Sequence, residues 1–599
     1  MKSFLKYTLA TIVGVIIVNV VLFLLLIGIL GAIASLGEKS VEVKPNSILQ
    51  LTLEGNIPDR SSKDPFSNIN FMSMKLDKSV GLDKILESIK KAAKDDRIKG
   101  IYLGVSDIQS NFGGLATVEE IRTALQDFKK SGKFIYSYSN LGYSQSAYYL
   151  ATVADSVFVN PETPLMLAGM GGTTFFYKEL LDKLGISVEI VKVGKYKSAV
   201  EPFTQTEMSP ANREQIEVYL KSLWGTLLKG ISESRHISVD TLNWLADNLE
   251  FRTTETEKKL GLYDGVIYQD QMIDILKKKC GVKEDDKLNI IEPSDYDKVL
   301  LPEKTEVTKD KLAVIYASGE IGLEQSATSI GPGLATTIRK VREDKNVKAI
   351  VLRVNSPGGS ALTSDIIWRE VTLARAAKPV IVSMGNVAAS GGYYISCAAD
   401  TIVAEPTTLT GSIGIFGQFF TGEKLIKDKM GITSSVVKTN EHSDFGGGYA
   451  LPIPISNRPL TAYERNVLQH FIEQGYETFL NRVATGRHMT RDSVNEIAQG
   501  RVWTGADAVK IGLVDVLGGM DDAIKIAAGK AGMTKYKIVD YPVEKEFLDE
   551  LLSGFSASVK EKMLKEEMGS FYETFRNLQD IMKTPQGLVA RIPYNLTLN

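Results

Sequence analysis

Residues 383–394 read S-M-G-N-V-A-A-S-G-G-Y-Y and surround one hydroxyl, that of Ser390, with almost no bulk. Small neighbours leave room for a second molecule to reach the serine oxygen. A helix starting there, with Gly391 and Gly392 in its first turn, sets the hydroxyl beside unpaired N–H groups at a positive helix end. Two roles fit that position. One is an N-cap, in which the hydroxyl accepts a hydrogen bond from the first turn. The other is a nucleophile, which needs a base to take its proton. No Ser-His-Asp arrangement is near enough in sequence to supply one.

A second small-residue stretch, V-N-S-P-G-G-S-A at residues 354–361, follows an apolar run and precedes a helical pattern. Glycines in such a turn let a substrate approach the backbone without meeting a Cβ. The N–H groups of Gly359 and Gly391 are candidate donors to a developing oxyanion, where one donor lowers a barrier by roughly 3–4 kcal/mol. Ser360 is a rival nucleophile, but it sits on the turn that would carry the donors. Read as plain structure, the same stretch is a strand-to-helix turn.

The elements that must hold these turns follow from hydrophobic pattern. L-A-V-I-Y-A-S-G-E-I (312–321), K-A-I-V-L-R-V (348–354) and P-V-I-V-S-M-G (379–385) are short apolar runs of the kind buried in parallel sheets. Residues 331–344 and 363–376 between them carry helical spacing, and 456–487 predicts a longer helix. The alternation is a βαβ series and predicts an α/β fold.

The chain also repeats itself. K-A-A-K-D-D-R-I-K-G-I-Y-L-G-V (91–105) parallels K-V-R-E-D-K-N-V-K-A-I-V-L-R-V (340–354). Residues 154–165 parallel 399–410, 234–248 parallel 486–500, and 258–267 parallel 509–518, in unchanged order. Two copies of one domain are expected, over 47–300 and 310–540, joined by a linker over 293–311. A charged extension of helical pattern, 541–599, follows. In the first copy, G-Y-S-Q-S-A-Y-Y (142–149) occupies the place of the Ser390 stretch and puts Ser144 or Gln145 opposite the serine, with neither glycine kept.

The N-terminus is of a different kind. No charged residue occurs from Tyr7 to Gly37, a run long enough to span a bilayer core of ~30 Å. Lys2 and Lys6 precede it, so the charge bias puts the N-terminus in the cytoplasm and the rest of the chain outside. A cleaved signal peptide is the rival reading, with Ala32-Ile33-Ala34 as its cleavage site, but the apolar run exceeds the ~7–15 residues of such signals. Residues 1–37 are therefore expected to form a retained transmembrane anchor. Over the whole chain, 44% hydrophobic and 24% charged residues exclude a disordered chain, and a net charge of −2 gives no basic field for nucleic acid. Cys280 and Cys397 form no metal or redox spacing, and Cys397 reads as a small buried hydrophobe.

Taken together, S-P-G-G, A-A-S-G-G-Y-Y, T-G-S-I-G-I-F-G (410–417) and G-R-V-W-T-G-A-D-A-V-K-I-G-L-V-D (500–515), on a duplicated chain behind an anchor, resemble the signal peptide peptidase A (protease IV) family in its long form. A more distant likeness is to the proteolytic subunit of Clp. The resemblance covers essentially the whole chain. It implies two tandem crotonase-like (Clp protease-like) domains and a serine peptidase whose base is a lysine. In that family the long form takes the lysine from the first copy. The motif V-G-K-Y-K-S-A-V-E-P-F (193–203) then selects Lys197, with Lys195 as the decoy. It also implies that Ser412 orients the lysine. The second copy carries V-V-K-T-N-E-H-S-D-F (436–445) instead, with His442 opposite Lys197.

The resemblance further implies a homotetramer at the bacterial inner membrane, catalytic domains on the periplasmic side. Cleaved signal peptides, and misfolded envelope proteins, would be the substrates, with no metal or cofactor. The chemistry sets a condition. A free lysine, pKa about 10.4, must fall to roughly 7–8 to act as a base, which burial away from carboxylates supplies. Glu201, four residues on, must point elsewhere. Two alternatives compete: an acyl-CoA hydratase or isomerase of the crotonase fold, and a catalytically inactive membrane scaffold. The anchor and the Ser/Lys motifs oppose the first, and intact Ser390 and Lys197 oppose the second.

Overall fold

The computed structural model describes residues 42–542 apart from 62–68, 71–74, 77–79, 111–113, 164, 252, 300–307, 325–328 and 450–454, together with 589–591 and positions 14, 17, 18 and 21. The expected anchor, apart from those four positions, and the helical pattern of the tail lie outside the described residues. Among the described residues no helix is long and apolar enough to cross a membrane.

Two parallel sheets organise the chain. The first orders its strands Gly265–Val266, Ser156–Val159, Phe134–Ser139, Ile98–Ser110, Ser47–Ile57 and Ile290–Ile291. The second runs Val516–Leu517, Thr401–Ala404, Val380–Ala389, Val347–Ser356, Lys311–Ser318 and Lys537–Tyr541. These six follow the same order in both; the second sheet also carries Leu409–Gly411, parallel to Val380–Ala389, and Val502–Thr504, antiparallel to Leu409–Gly411. The pattern of each strand explains why both faces are covered. In the second sheet Leu312, Val314, Val351 and Ile381 pack under the helix Met520–Lys530, whose Ala523 and Ala527 let it lie close. The alternate residues Ala313, Ile315, Leu352 and Val382 face the opposite core with Ile338, Ile367 and Phe479. A two-residue period thus feeds two apolar layers, which a parallel sheet between helices requires.

The sequence division into two copies misses one exchange. The strand Ser187–Lys192 belongs to the first copy by position. It pairs antiparallel with Phe416–Thr421, over the register Ser187↔Thr421 to Lys192↔Phe416, and so extends a sheet of the second copy. The tail also departs from a purely helical extension: Val589–Arg591 is a strand. Three residues ending two positions before Pro593 fit a short strand, since proline has no N–H to continue a ladder.

The two sheets meet through buried charge. Arg353, fully buried on Val347–Ser356, donates from Nε to Asp59 Oδ1 at 2.8 Å and from a terminal nitrogen to Glu120 Oε1 at 2.6 Å. Both acids come from the first copy. Asn355 Nδ2 donates to Asp59 Oδ2 at 2.7 Å, and Thr117 N donates to Asn386 Oδ1 at 3.0 Å. Such groups lose their water when the halves dock, so each must find its partner in the other half. Arg353→Met would leave two acids buried without a countercharge. It is expected to lower the urea denaturation midpoint by the equivalent of about 3–5 kcal/mol; an unshifted midpoint in tryptophan fluorescence would show that the cluster does not hold the halves together.

Candidate active site

Ser390 stands where the strand Val380–Ala389 turns into the helix Gly391–Ser396. Its backbone is strained, at φ 55° and ψ −114°, and its side chain makes no capping bond. Two contacts hold the strain: Ser390 N donates to Gly411 O at 2.8 Å, and Tyr394 N donates to Ser390 O at 2.8 Å. A non-glycine residue in such a conformation costs on the order of 1–3 kcal/mol and aims its side chain out of the usual turn. The corresponding turn of the first copy is relaxed. Ser144, at φ −66° and ψ 166°, caps the helix Gln145–Ala151 through a hydrogen bond from Ala147 N to its hydroxyl. The capping role open to Ser390 in the sequence is thus taken by Ser144. Ser360 is also a cap, accepting from Thr363 N at 3.3 Å.

Lys197 arrives from the other half. The exchanged strand Ser187–Lys192 delivers the chain to Gly194, whose φ of +97° lets it pass against Gln499. Tyr196 N then donates to Gln499 O at 3.0 Å. Gln215, on the helix Pro210–Arg235, donates from Nε2 to Tyr196 O and Ser198 Oγ, both at 3.0 Å, and accepts from Val502 N at 3.3 Å. One glutamine therefore ties the lysine loop to a strand of the second copy. Gly500 closes the arrangement: a Cβ there would stand 2.7 Å from Lys197 N and 2.8 Å from its Cα.

The amine ends among serines. Lys197 Nζ lies 2.8 Å from Ser390 Oγ, 3.0 Å from Ser412 Oγ and 3.1 Å from Ser412 O. All three residues are fully buried. Burial alone holds the lysine well below its usual pKa. A neutral amine has two N–H groups and one lone pair. In that form the two oxygens of Ser412 would accept the two N–H groups and the lone pair would face Ser390 Oγ. Ser412 is itself fixed at φ 49° and donates from its N–H to Arg501 O at 2.7 Å. Glu201 is turned away: its carboxylate accepts from Ser209 Oγ at 2.7 Å and Asn212 Nδ2 at 2.9 Å. Lys195 is exposed, with its amine over the Tyr196 ring.

Gly359 and Gly391 face each other across the serine turn. A Cβ on Gly391 would come within 3.2 Å of Gly359 N, and one on Gly359 would strike Ile321 O at 2.0 Å. A Cβ on Gly391 would also stand 2.8 Å from Ser364 Oγ, so both positions are tightly packed. His442 is not part of this site. Its Nδ1 lies 3.3 Å from Glu464 Oε1, and its ring stacks on Tyr463. Cys397 is buried, with its thiol pushed up to about 12 by burial. The sequence reading missed Gln215, Arg353, Asp59 and Glu120. Helical and strand patterns mark their elements, but nothing in either pattern marks a contact across halves.

A serine alcohol 2.8 Å from a buried amine is equipped for acyl transfer, and comparison with known proteins makes the chain a serine peptidase. It belongs to Peptidase family S49, whose model matches residues 127–283 and 372–534. The chain is 34% identical over 575 residues to Protease 4 of Haemophilus influenzae, covering 92% of this chain and 91% of that protein. It is 38% identical over 489 residues to Protease 4 of Salmonella typhi, covering 80% and 76% respectively. It is 34% identical over 564 residues to the chloroplastic serine protease SPPA of Arabidopsis thaliana, covering 92% and 78%. The first matched region contains Lys197, and the second contains Ser390 and Ser412.

Gly500→Ala tests how closely the lysine is held. The added methyl group must displace the Lys197 backbone, and a misplacement of about 1 Å costs on the order of 100-fold in rate. The expected result is a fall of that size in kcat/KM on a small peptide ester with far-ultraviolet circular dichroism unchanged; full activity would show that the loop tolerates displacement.

Proposed function

We propose that Ser390 and Lys197 are the nucleophile and general base of a membrane-anchored endopeptidase that degrades cleaved signal peptides. The observation that carries this reading is the 2.8 Å contact between a fully buried amine and the serine oxygen. Lys197 takes the Ser390 proton as the oxygen attacks a peptide carbonyl. The N–H groups of Gly359 and Gly391 receive the oxyanion. Lys197 returns the proton to the leaving amine, then takes one from the water that attacks the acyl-enzyme and passes it to the departing Ser390 oxygen. Ser412 is a positioning residue that points the amine.

The remaining parts of the reading rest on the sequence. Residues 1–37 anchor the chain, and two crotonase-like units, over 47–300 and 310–540, lie on the periplasmic side of a bacterial inner membrane. That address puts the site beside the apolar remnants that signal cleavage leaves in the bilayer. A homotetramer enclosing the sites would admit extended peptides and exclude folded proteins.

Two measurements test the dyad. Ser390→Ala and Lys197→Met are each expected to lower hydrolysis of a synthetic signal peptide by more than about 1000-fold, whereas Lys195→Met leaves it within about twofold; the opposite pattern for the two lysines would move the base. The pH profile has a defined sign. Protonated Lys197 has no lone pair, so kcat/KM falls as pH drops through its depressed pKa. The same depression means the unfolded chain binds that proton more tightly than the folded one. Lys197 thus contributes a stability that increases from its folded pKa up to its unfolded value of about 10.4. Lys197→Met is expected to flatten that slope in denaturation midpoints measured against pH; an unchanged slope would show that the lysine is protonated in the folded protein.

A further inference from the structure

Four consecutive residues of the second half, Gln499 to Val502, meet the loop that carries Lys197 or the helix behind it. Gln499 O accepts from Tyr196 N at 3.0 Å, and Gly500 lies against the Lys197 backbone. Arg501 O accepts from Ser412 N at 2.7 Å, and Val502 N donates to Gln215 at 3.3 Å. The backbone of Arg501 thus holds the serine that the amine contacts, and its side chain turns to the residue before the lysine. Arg501 Nη1 donates to Tyr196 Oη at 2.9 Å. The guanidinium carbon lies 4.8 Å from the centre of the Tyr196 ring and 4.6 Å from that of Trp503. The same group is paired end-on with Glu214 of the helix Pro210–Arg235, at 2.7 Å from Nη2 to Oε1 and 3.2 Å from Nη1 to Oε2.

An ion pair with an open partner adds little stability, and the Glu214 side chain is 47% exposed. What the arrangement fixes is direction. A planar fork that lies over two rings and meets a carboxylate with two nitrogens has few orientations open to it. The first copy supplies a comparison. The parallel between 234–248 and 486–500, carried one residue further, sets Leu249 opposite Arg501. Leu249 is 56% exposed. The arginine therefore stands in the half that meets the lysine loop, and an exposed leucine in the half whose serine turn is a helix cap.

We propose that Arg501 is a positioning residue of the site: its side chain clamps Tyr196, and with it the Lys197 loop, while its carbonyl holds Ser412. The amine and the two serine hydroxyls keep their spacing only while that clamp is closed. The proposal rests on the reading of Lys197 as the base. Opening the clamp lets water reach the amine, which then holds its proton more tightly, so activity near neutral pH is lost in kcat rather than in substrate binding.

The experiment uses Arg501→Met, which keeps an apolar stem and removes the fork. In the Ser390→Ala background, hydrogen exchange is expected to quicken at least tenfold at Tyr196 and Ser412, whose N–H groups donate to Gln499 and Arg501. In the active background, kcat for a peptide ester at neutral pH is expected to fall about 100-fold, with KM changed less than twofold. The acid limb of kcat/KM is expected to move up by at least about one pH unit, so that activity recovers in alkaline buffer. Tyr196→Phe keeps the ring and loses the acceptor, and is expected to move the limb the same way by less. Arg375→Met breaks an ion pair with Asp400 in the same half and is expected to leave the limb in place. A limb that stays put in Arg501→Met overturns the proposal, and so does unchanged exchange at both amides. Should Arg501→Met fail to fold, the limb of Tyr196→Phe decides. Full activity in Lys197→Met is a separate failure: it removes the base reading, and the exchange comparison still shows whether Arg501 holds the loop.

Discussion

An amine can serve as a base beside an alcohol only where it is kept from both water and carboxylates. The surroundings of Lys197 meet that constraint at every side. The amine is fully buried, and burial alone accounts for its depressed pKa. The one acid near it in sequence, Glu201, is held elsewhere by Ser209 and Asn212. The oxygens within reach belong to serines, which accept N–H groups without adding charge. A lysine left unpaired at such depth costs stability, and the rest of the fold must offset it.

That offset comes from docking the two halves. Arg353 spends its donors on Asp59 and Glu120 across the boundary, and Gln215 joins the lysine loop to Val502. The exchanged strand Ser187–Lys192 adds backbone pairing to the same junction. Two left-handed residues stand at the amine. Ser390 and Ser412 both hold positive φ, and both touch the amine. In the relaxed copy of the turn, Ser144 uses its hydroxyl as a helix cap. The same strand-to-helix topology therefore serves structure in one half and carries the strained serine in the other.

Much of this was readable in the residues. Apolar runs located the strands of the second sheet, and the internal parallels anticipated a shared strand order. The serine and glycine turns stood out because small residues cluster there with no packing reason. The lysine did not stand out physically: K-Y-K offers two amines, and only the family motif chose between them. Whether Lys195 or Lys197 turns inward depends on how the loop lies on Gln499 and Gly500, some three hundred residues away. His442 matched by alignment alone, and its loop instead folds onto Glu464. Strand exchange was hidden because a strand's own pattern states that it will pair, but not with which edge. The same holds for Val589–Arg591, too short for any periodic signal.

The relaxed turn at Ser144 has a consequence for counting. Two identical copies docked in this way would by symmetry carry two equal clefts, each borrowing from the other. Here one serine turn is a cap, and among the described residues the other meets a lysine of its own polypeptide. Encounter between the halves is thus a folding event rather than an association. The contact between Ser390 and Lys197 is consequently made within one polypeptide.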